Sequence, residues 1–279
     1  MASNNNGYCC VCGTSTAQRC SACCEAGFDL FFCSREHQKL VYFTHKKVCG
    51  KNAKPFRFPP LSPEELHRTK ELAFVELPGP SEYGGSVTIS TGLSTLSSAP
   101  TLSILADLSQ PTPRLIQSKH VAAALSLLRS ALMEQAHDFD TTTQLLYSHE
   151  RNLPELLPLT EPLEALSHFA MNLNALTLPV GLSTSPKVFP IEEDWFISLM
   201  HHGSIFCTLR HLFLKDRLVN PSLNSFEPFL FSSARHLCDC LQEMAEQNPQ
   251  AGEAMETAFE LIVGGTPLEI TLQGVKRVA

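Results

Sequence analysis

The feature that most constrains this chain is a series of cysteine and histidine residues near its N-terminus. In the segment CSREHQKLVYFTHKKVC, two cysteines and two histidines are separated by three, seven and three residues, and two CxxC pairs precede the segment. Thiolate and imidazole groups are typical zinc ligands, and eight of them are enough for two tetrahedral ions. The eight residues are Cys9, Cys12, Cys20, Cys23, Cys33, His37, His45 and Cys49.

The size of this cysteine-rich segment also points to metal. Eight of the eleven cysteines lie in the first fifty residues, which contain few large apolar side chains. A segment this short cannot bury enough surface to offset its chain entropy. Zinc binding supplies the missing free energy, on the order of 10 kcal/mol per structural ion in peptide models.

The redox state expected for the cysteines follows from the absence of targeting signals. No apolar run in the sequence reaches the roughly 18 residues that a membrane span requires. The N-terminal residues MASNNNGY have neither the basic start nor the apolar core of a secretory signal. We therefore expect an intracellular protein that is not secreted, in which the cysteines stay reduced.

The complete spacing C-x2-C-x7-C-x2-C-x9-C-x3-H-x7-H-x3-C, with the wording FFCSREHQK and THKKVC, resembles a MYND-type zinc finger over residues 9–49. The resemblance implies a small cross-braced fold, in which alternate ligand pairs hold two structural zinc ions. The sixth ligand, His37, stands where cysteine is commoner, as in fungal-type versions, and zinc accepts such a Cys3His set. The implied ligands are Cys9, Cys12, Cys33 and His37 for the first zinc, and Cys20, Cys23, His45 and Cys49 for the second.

The same resemblance implies a surface that captures short proline-containing peptides. In this family the groove uses the glutamine after the sixth ligand and the aromatic residue four positions later, here Gln38 and Tyr42. Gln38 can hydrogen-bond to a peptide backbone, and Tyr42 offers a flat apolar face to a proline ring. Tyr42 stands where tryptophan is usual, and the alternative is that it covers the small core between the two zinc ions.

Two cysteines are left over from this pattern, and local signals agree with it. A ligand set that used Cys10 or Cys24 would break the CxxC spacing, so we expect these two cysteines to be unligated. Ser34 is a suitable N-cap for a short helix, and FDLFF favours a strand before it. Because every metal position is filled by a protein ligand, no site remains for water, and we expect no enzymatic activity.

Composition divides the chain into three parts. Residues 1–54 form the predicted zinc finger, residues 55–117 a linker, and residues 118–279 a predominantly α-helical domain of no family that we recognise. The finger is expected to fold as its own unit. Loss of one ligand, as in Cys20→Ser, should then unfold the finger and leave the helical region largely intact.

The linker contains one clear helix signal. Ser62, Pro63 and Glu65 form an N-cap, a first-turn proline and a capping box, which predict a helix near 63–76. The following residues, 78–113, are rich in Ser, Thr, Pro and Gly and predict a loop-rich or disordered connector. Within it the alternating SVTIS leaves a short strand open as an alternative.

The C-terminal part is dominated by helical periodicity, since apolar residues recur at three- and four-residue spacing. Thr160 is a candidate N-cap, and Gly203 a candidate break. The predicted helices are KHVAAALSLLRSALMEQAH, PLEALSHFAMNLNAL, a segment at about 191–218, SFEPFLFSSARHLCDCLQEMAEQ, and PQAGEAMETAFELIVGG. Four or more such helices, joined by short turns containing proline and asparagine, favour an α-helical body.

A third metal site is a weaker candidate in this helical region. Two cysteine–histidine pairs are each four residues apart, so each pair shares one helical face. The alternative is that the cysteines are buried small apolar groups and the histidines satisfied core or surface groups, which the sequence favours. The four residues are Cys207, His211, His236 and Cys240.

Three functional classes compete. We expect a zinc-binding adaptor or regulatory protein whose finger binds proline-containing peptides. A relative of the finger-containing lysine methyltransferases is an alternative, but the chain has no SET sequence around the finger. Nucleic-acid binding is another, because residues 1–60 carry eight Lys/Arg against three Asp/Glu while the whole chain has a net charge of −7. No groove of interleaved aromatics supports it, so the sequence favours protein partners.

Overall fold

A computed structural model describes residues 6–76, 88–136, 161–177, 188–219, 225–247 and 249–278. The N-terminal part of this structure contains little regular structure apart from one helix of three turns. Its elements are β1 (Gly7–Tyr8), β2 (Ser15–Thr16), α1 (Ser21–Glu25), α2 (Arg35–His45) and a 3-10 turn (Gly50–Asn52). The strands β1 and β2 pair antiparallel as a small hairpin.

The helix α2 begins where the sequence predicts it. The Ser34 hydroxyl accepts a hydrogen bond from the backbone N–H of His37 at 3.2 Å, which confirms the N-cap. The strand predicted for FDLFF is wrong in extent, because the segment forms only an isolated antiparallel bridge between Arg19 and Phe31. Its backbone groups bond to the turns that carry cysteines, as in the 2.9 Å bond from Cys20 N–H to the Leu30 carbonyl.

The helix of the linker, α3 (Pro63–Leu72), has the predicted capping box. The Glu65 N–H donates to the Ser62 hydroxyl at 3.1 Å, and the Ser62 N–H donates to the Glu65 carboxylate at 2.7 Å. The helix ends four residues before the predicted end. The carbonyl of Ala73 accepts instead from the N–H of Ser90 at 2.9 Å, which turns the chain away from the helix axis.

The connector predicted to be loop-rich contains two short helices, α4 (Ile89–Ser94) and α5 (Thr101–Leu108). Residues 78–87 lie outside the described part of the chain, and the SVTIS strand does not form at Ile89, which is helical. Thr88 caps α4 by accepting from the Thr91 N–H. Apolar side chains on the inner faces of both helices are buried, so packing overrides the polar composition.

The C-terminal part is helical, as predicted. It ends with a β-hairpin, which was not predicted. Its elements are α6 (Ser118–Ala136), α7 (Pro162–Thr177), α8 (Asp194–Val219), α9 (Glu227–Gln247), α10 (Pro249–Val263), β3 (Leu268–Thr271) and β4 (Gly274–Arg277). The helix α7 packs against α6, α8 and α10, while α9 packs against α8 and α10. The predicted cap Thr160 lies outside the described residues.

The long helix α8 continues through Gly203, where a break was predicted. A Cβ atom at this position would lie 3.0 Å from the Leu166 side chain of α7. The glycine therefore permits a close approach of two helices and does not end one.

The metal-binding segment and the helices share one hydrophobic core. Helix α2 packs on α8, and the buried residues Val11, Val41 and Phe56 belong to the same cluster as Ile197 and Leu237. None of the helices in the described part of the chain combines the length and the apolar character needed to cross a membrane. The position of the finger is thus fixed by α8 and α9.

Candidate metal centre

The first group of ligands joins the turn after β1 to the start of α2. Four residues place their ligand atoms within 4.8 Å of one another: Cys9, Cys12, Cys33 and His37. The Cys33 sulfur lies 3.2 Å and the Cys9 sulfur 3.6 Å from Nδ1 of His37. The sulfurs of Cys12 and Cys33 are 3.4 Å apart. The Ser34 cap fixes the first turn of α2, so it also fixes the backbone that carries His37.

The second group joins α1 to the end of α2. Its members are Cys20, Cys23, His45 and Cys49, whose ligand atoms also lie within 4.8 Å of one another. Nε2 of His45 is 3.4 Å from the Cys20 sulfur and 3.6 Å from the Cys23 sulfur. The Cys49 sulfur is 3.5 Å from that of Cys20 and 3.4 Å from that of Cys23. This group is more deeply buried than the first.

Both groups fit a tetrahedral zinc ion. Zn–S bonds of about 2.3 Å and Zn–N bonds of about 2.0 Å require ligand atoms to be roughly 3.5–3.8 Å apart. The observed separations of 3.2–3.6 Å are close to this range. Three thiols and one imidazole form a set that favours zinc over harder cations such as magnesium. The chain is therefore positioned to bind two metal ions.

The thiols of the second group perturb one another. The contact with Cys23 lowers the pKa of the Cys20 thiol, while the contact with Cys20 raises the pKa of Cys23. Two adjacent thiolates repel each other, so the proximity of the two sulfurs opposes ionisation of both. A divalent cation stabilises every thiolate of the group and offsets this repulsion.

The ligand pairs alternate between the two groups, so the loops of one site are interleaved with those of the other. This is the grouping implied by the resemblance to MYND-type fingers. Cys10 and Cys24 belong to neither group. Cys10 is buried, and burial raises the pKa of its thiol to about 12, which makes it a small apolar group of the core.

The two residues predicted to bind peptide lie on α2, between the metal groups. Tyr42 is 52% exposed, while Gln38, one turn earlier on the same face, is half-buried. Half of the Tyr42 side chain is therefore open to solvent, while Val41 and Thr44 of the same helix are buried.

The third metal site considered from sequence does not form. Among the described residues, only the two groups of the finger bring three or more cysteine, histidine or acidic side chains within reach of one ion. Nε2 of His236 lies 3.2 Å from the Cys9 carbonyl, and the Cys240 sulfur lies 3.7 Å from the Ser198 hydroxyl. Burial raises the pKa of the Cys207 thiol to about 12, which agrees with a small apolar core group.

Sequence reasoning missed the residues that attach the finger to the helices. The ring of His201 stacks on Phe28 with centroids 4.4 Å apart, and its Nε2 lies 3.0 Å from the Ala53 carbonyl. The ring of His202 stacks on that of His236 at 5.1 Å. The only sequence signal was a pair of histidines inside an apolar helix, which does not reveal the partner.

A cleft of about 750 Å³ opens where the finger meets α6 and the segment before α8. Its walls include five prolines and three phenylalanines. Three cationic and two acidic residues surround them: Lys51, Arg57, Lys119, Glu192 and Glu193. Such mixed charges do not select one class of ligand, and the cleft shares no residue with the metal groups.

Comparison of the chain with models of known protein families, with curated proteins and with solved structures finds no significant match. The identification of the metal centre therefore rests on its own geometry.

Proposed function

We propose that this protein is a zinc-dependent interaction module, an adaptor or regulator, with two structural zinc ions in a MYND-like finger. The observation that carries the proposal is the pair of interleaved four-residue groups of cysteine and histidine. Each group supplies a complete tetrahedral set. We also propose that the protein is not an enzyme at these sites, because neither ion would have an open position for water or substrate.

The arrangement of α2 supports a role in recognition. The helix carries His37 in its first turn and His45 as its last residue, so each end holds a ligand of a different ion. Two metal anchors would make α2 rigid, and a rigid surface loses little entropy on binding. We propose that Gln38 and Tyr42, on the exposed side of this helix, bind short proline-containing peptides.

The proposal is tested with the full-length protein and an array of octapeptides that contain two prolines at varied spacing. Tyr42→Ala and Gln38→Ala should each keep two zinc ions, measured by elemental analysis. Each should weaken binding to the best peptide by about 1–3 kcal/mol, the range of a hot-spot truncation. Isothermal titration calorimetry gives both the affinity and the stoichiometry.

Tyr8→Ala is the matched control, because Tyr8 is 65% exposed on β1 of the same finger. It should bind the peptide as the parent does. Equal weakening by Tyr8→Ala and Tyr42→Ala, or no weakening by either, would remove α2 as the peptide site. An array with no bound peptide would reject proline-containing peptides as the partner class.

A further inference from the structure

The exposed face of α2 carries a stripe of cations on both sides of Tyr42. Arg35, Lys39, Tyr42 and Lys46 follow one another at intervals of four, three and four residues, which places them along one helical face. All four are exposed. Lys46 is the C-cap residue and keeps helical backbone angles, so the stripe extends to the end of the helix.

Two other cations of the finger are paired with acidic residues. Arg19 forms a 2.8 Å ion pair with Asp29, and Lys54 forms a 2.7 Å ion pair with Asp194 of α8. Within the described parts of the chain, the cations of the stripe form no ion pair. The acid of α2, Glu36, lies in the first turn, where backbone hydrogen bonding, the Ser34 side chain and the charges of Lys39 and Arg35 lower the pKa of its carboxyl without a direct ion pair.

We propose that this face binds an extended peptide whose proline-containing centre lies on Tyr42 and whose flanking residues are Asp or Glu. The proposal rests on the peptide-binding function proposed above and adds the chemistry of the partner. An apolar contact at Tyr42 gives affinity, while the unpaired cations on both sides select the charge of the flanks.

The dimensions of α2 set the length of such a peptide. Eleven helical steps from Arg35 to Lys46 span about 16 Å. An extended chain covers this length with about five residues. Acidic residues two or three positions before and after the centre then lie opposite Arg35 or Lys39 at one end and Lys46 at the other.

A nucleic acid is the other anion class that a basic helix attracts. The stripe holds three cations on one short helix, and the chain as a whole has a net charge of −7, which repels an extended polyanion. A peptide of about five residues contacts the stripe alone. The charge distribution therefore favours the acidic peptide.

The test uses the full-length protein and three labelled forms of the strongest neutral binder from the proline array. In each form, the residues two and three positions before and after the proline-containing centre are all Glu, all Gln or all Lys. Fluorescence polarisation at 0.05 M NaCl should give the affinity order Glu, then Gln, then Lys, with about a tenfold difference between the first two. At 0.5 M NaCl this difference should shrink to about twofold, because salt screens exposed charges.

Charge-reversal variants test whether Lys39 and Lys46 set the charge preference for the peptide. The double change Lys39→Glu with Lys46→Glu should reverse the preference, so that the Lys-flanked peptide binds best, while the zinc content stays at two. Lys276→Glu in β4 is the matched control, an exposed lysine outside the finger, and should keep the parental order. The milder Lys39→Gln should weaken only the Glu-flanked peptide, by about threefold.

Each outcome decides the proposal. Equal binding of the Glu- and Gln-flanked peptides overturns the charge preference while the peptide-binding function stands. Tighter binding of a 20-nucleotide DNA than of the Glu-flanked peptide, lost in the double variant, assigns the face to nucleic acid and overturns it as well. Absence of any array binder removes the proposal together with the function on which it rests.

Discussion

The Nε2 atom of His236 lies 3.2 Å from the carbonyl oxygen of Cys9, so a side chain of α9 donates a hydrogen bond to the first metal-binding loop. On the other side of the finger, Nε2 of His201 lies 3.0 Å from the carbonyl oxygen of Ala53. Two helices of the C-terminal region thus hold the backbone of the finger. We therefore expect a change in the metal sites to act on the packing of α8 and α9.

Removal of metal should therefore destabilise the helices as well as the finger. With free zinc at 100 times each Kd, two sites contribute about 5 kcal/mol of linked stability, or a Tm shift of about 10 °C for a chain of this size. The measurement is thermal unfolding by circular dichroism at 222 nm, with and without EDTA. Sequence alone predicted an intact helical region after ligand loss, and an unchanged Tm with EDTA would support that view.

Two neighbouring cysteines of α1, Cys23 and Cys24, test which cysteines bind metal. Cys23→Ser removes a member of the second metal group, and we expect it to lower the zinc content to one ion or none. Cys24→Ser, at the next position, should keep two ions, because Cys24 belongs to neither group. Native mass spectrometry counts the ions directly. Loss of zinc in Cys24→Ser would require a different set of ligands.

His201 should make the protein less stable in mild acid. Burial lowers the pKa of its imidazole to about 4, while the unfolded chain has a pKa near 6.5. Between these values the unfolded state binds the proton and the folded state does not, so stability falls as pH falls from about 6.5 to about 4. From pH 7.5 to 5.5 this residue costs about 1.3 kcal/mol.

His201→Phe isolates this effect. Phenylalanine keeps the ring between Phe28 and Phe56 but has no proton to bind. Urea unfolding at the two pH values should show a smaller loss of stability for the variant than for the parent, by about 1.3 kcal/mol. An identical pH dependence in both proteins would mean that His201 does not titrate on unfolding.

A buried ion pair fixes the linker between the finger and α6. The Arg129 side chain is fully buried, and its Nε lies 2.6 Å from the Glu65 carboxylate. Its Nη2 also donates to the carbonyls of Pro59 and Pro60. Burial alone would raise the pKa of Glu65, but the hydrogen bond and the positive charge of Arg129 lower it.

Loss of this arginine should cost far more than loss of an exposed cation. Arg129→Met leaves a buried carboxylate without its partner, which costs about 3–5 kcal/mol. Lys54→Met breaks the exposed pair with Asp194 and should cost less than about 1 kcal/mol. Chemical denaturation of both variants at pH 7.5 gives the comparison, and equal costs would mean that Arg129 is not held as a buried pair.

The eight metal ligands and most helices were predictable from local sequence patterns, whereas the division of the ligands into two groups came from the resemblance to MYND-type fingers. The eight ligands lie within 41 residues, and their spacing is set by short turns and by the helical repeat of α2, so local geometry alone brings Cys33 near His37. The capping box at Ser62 and Glu65 likewise depends only on four consecutive residues. Such local structure can be predicted from the sequence because it involves only a few residues that the chain already holds close together.

The remaining features depend on contacts between distant parts of the chain. Helices α4 and α5 form in a polar segment because their few apolar residues find buried positions against α3 and α6. The pairing of Arg129 with Glu65 and the bond from His236 to Cys9 join residues 64 and 227 positions apart. No local pattern encodes such contacts, since they depend on how all the apolar faces pack together at once.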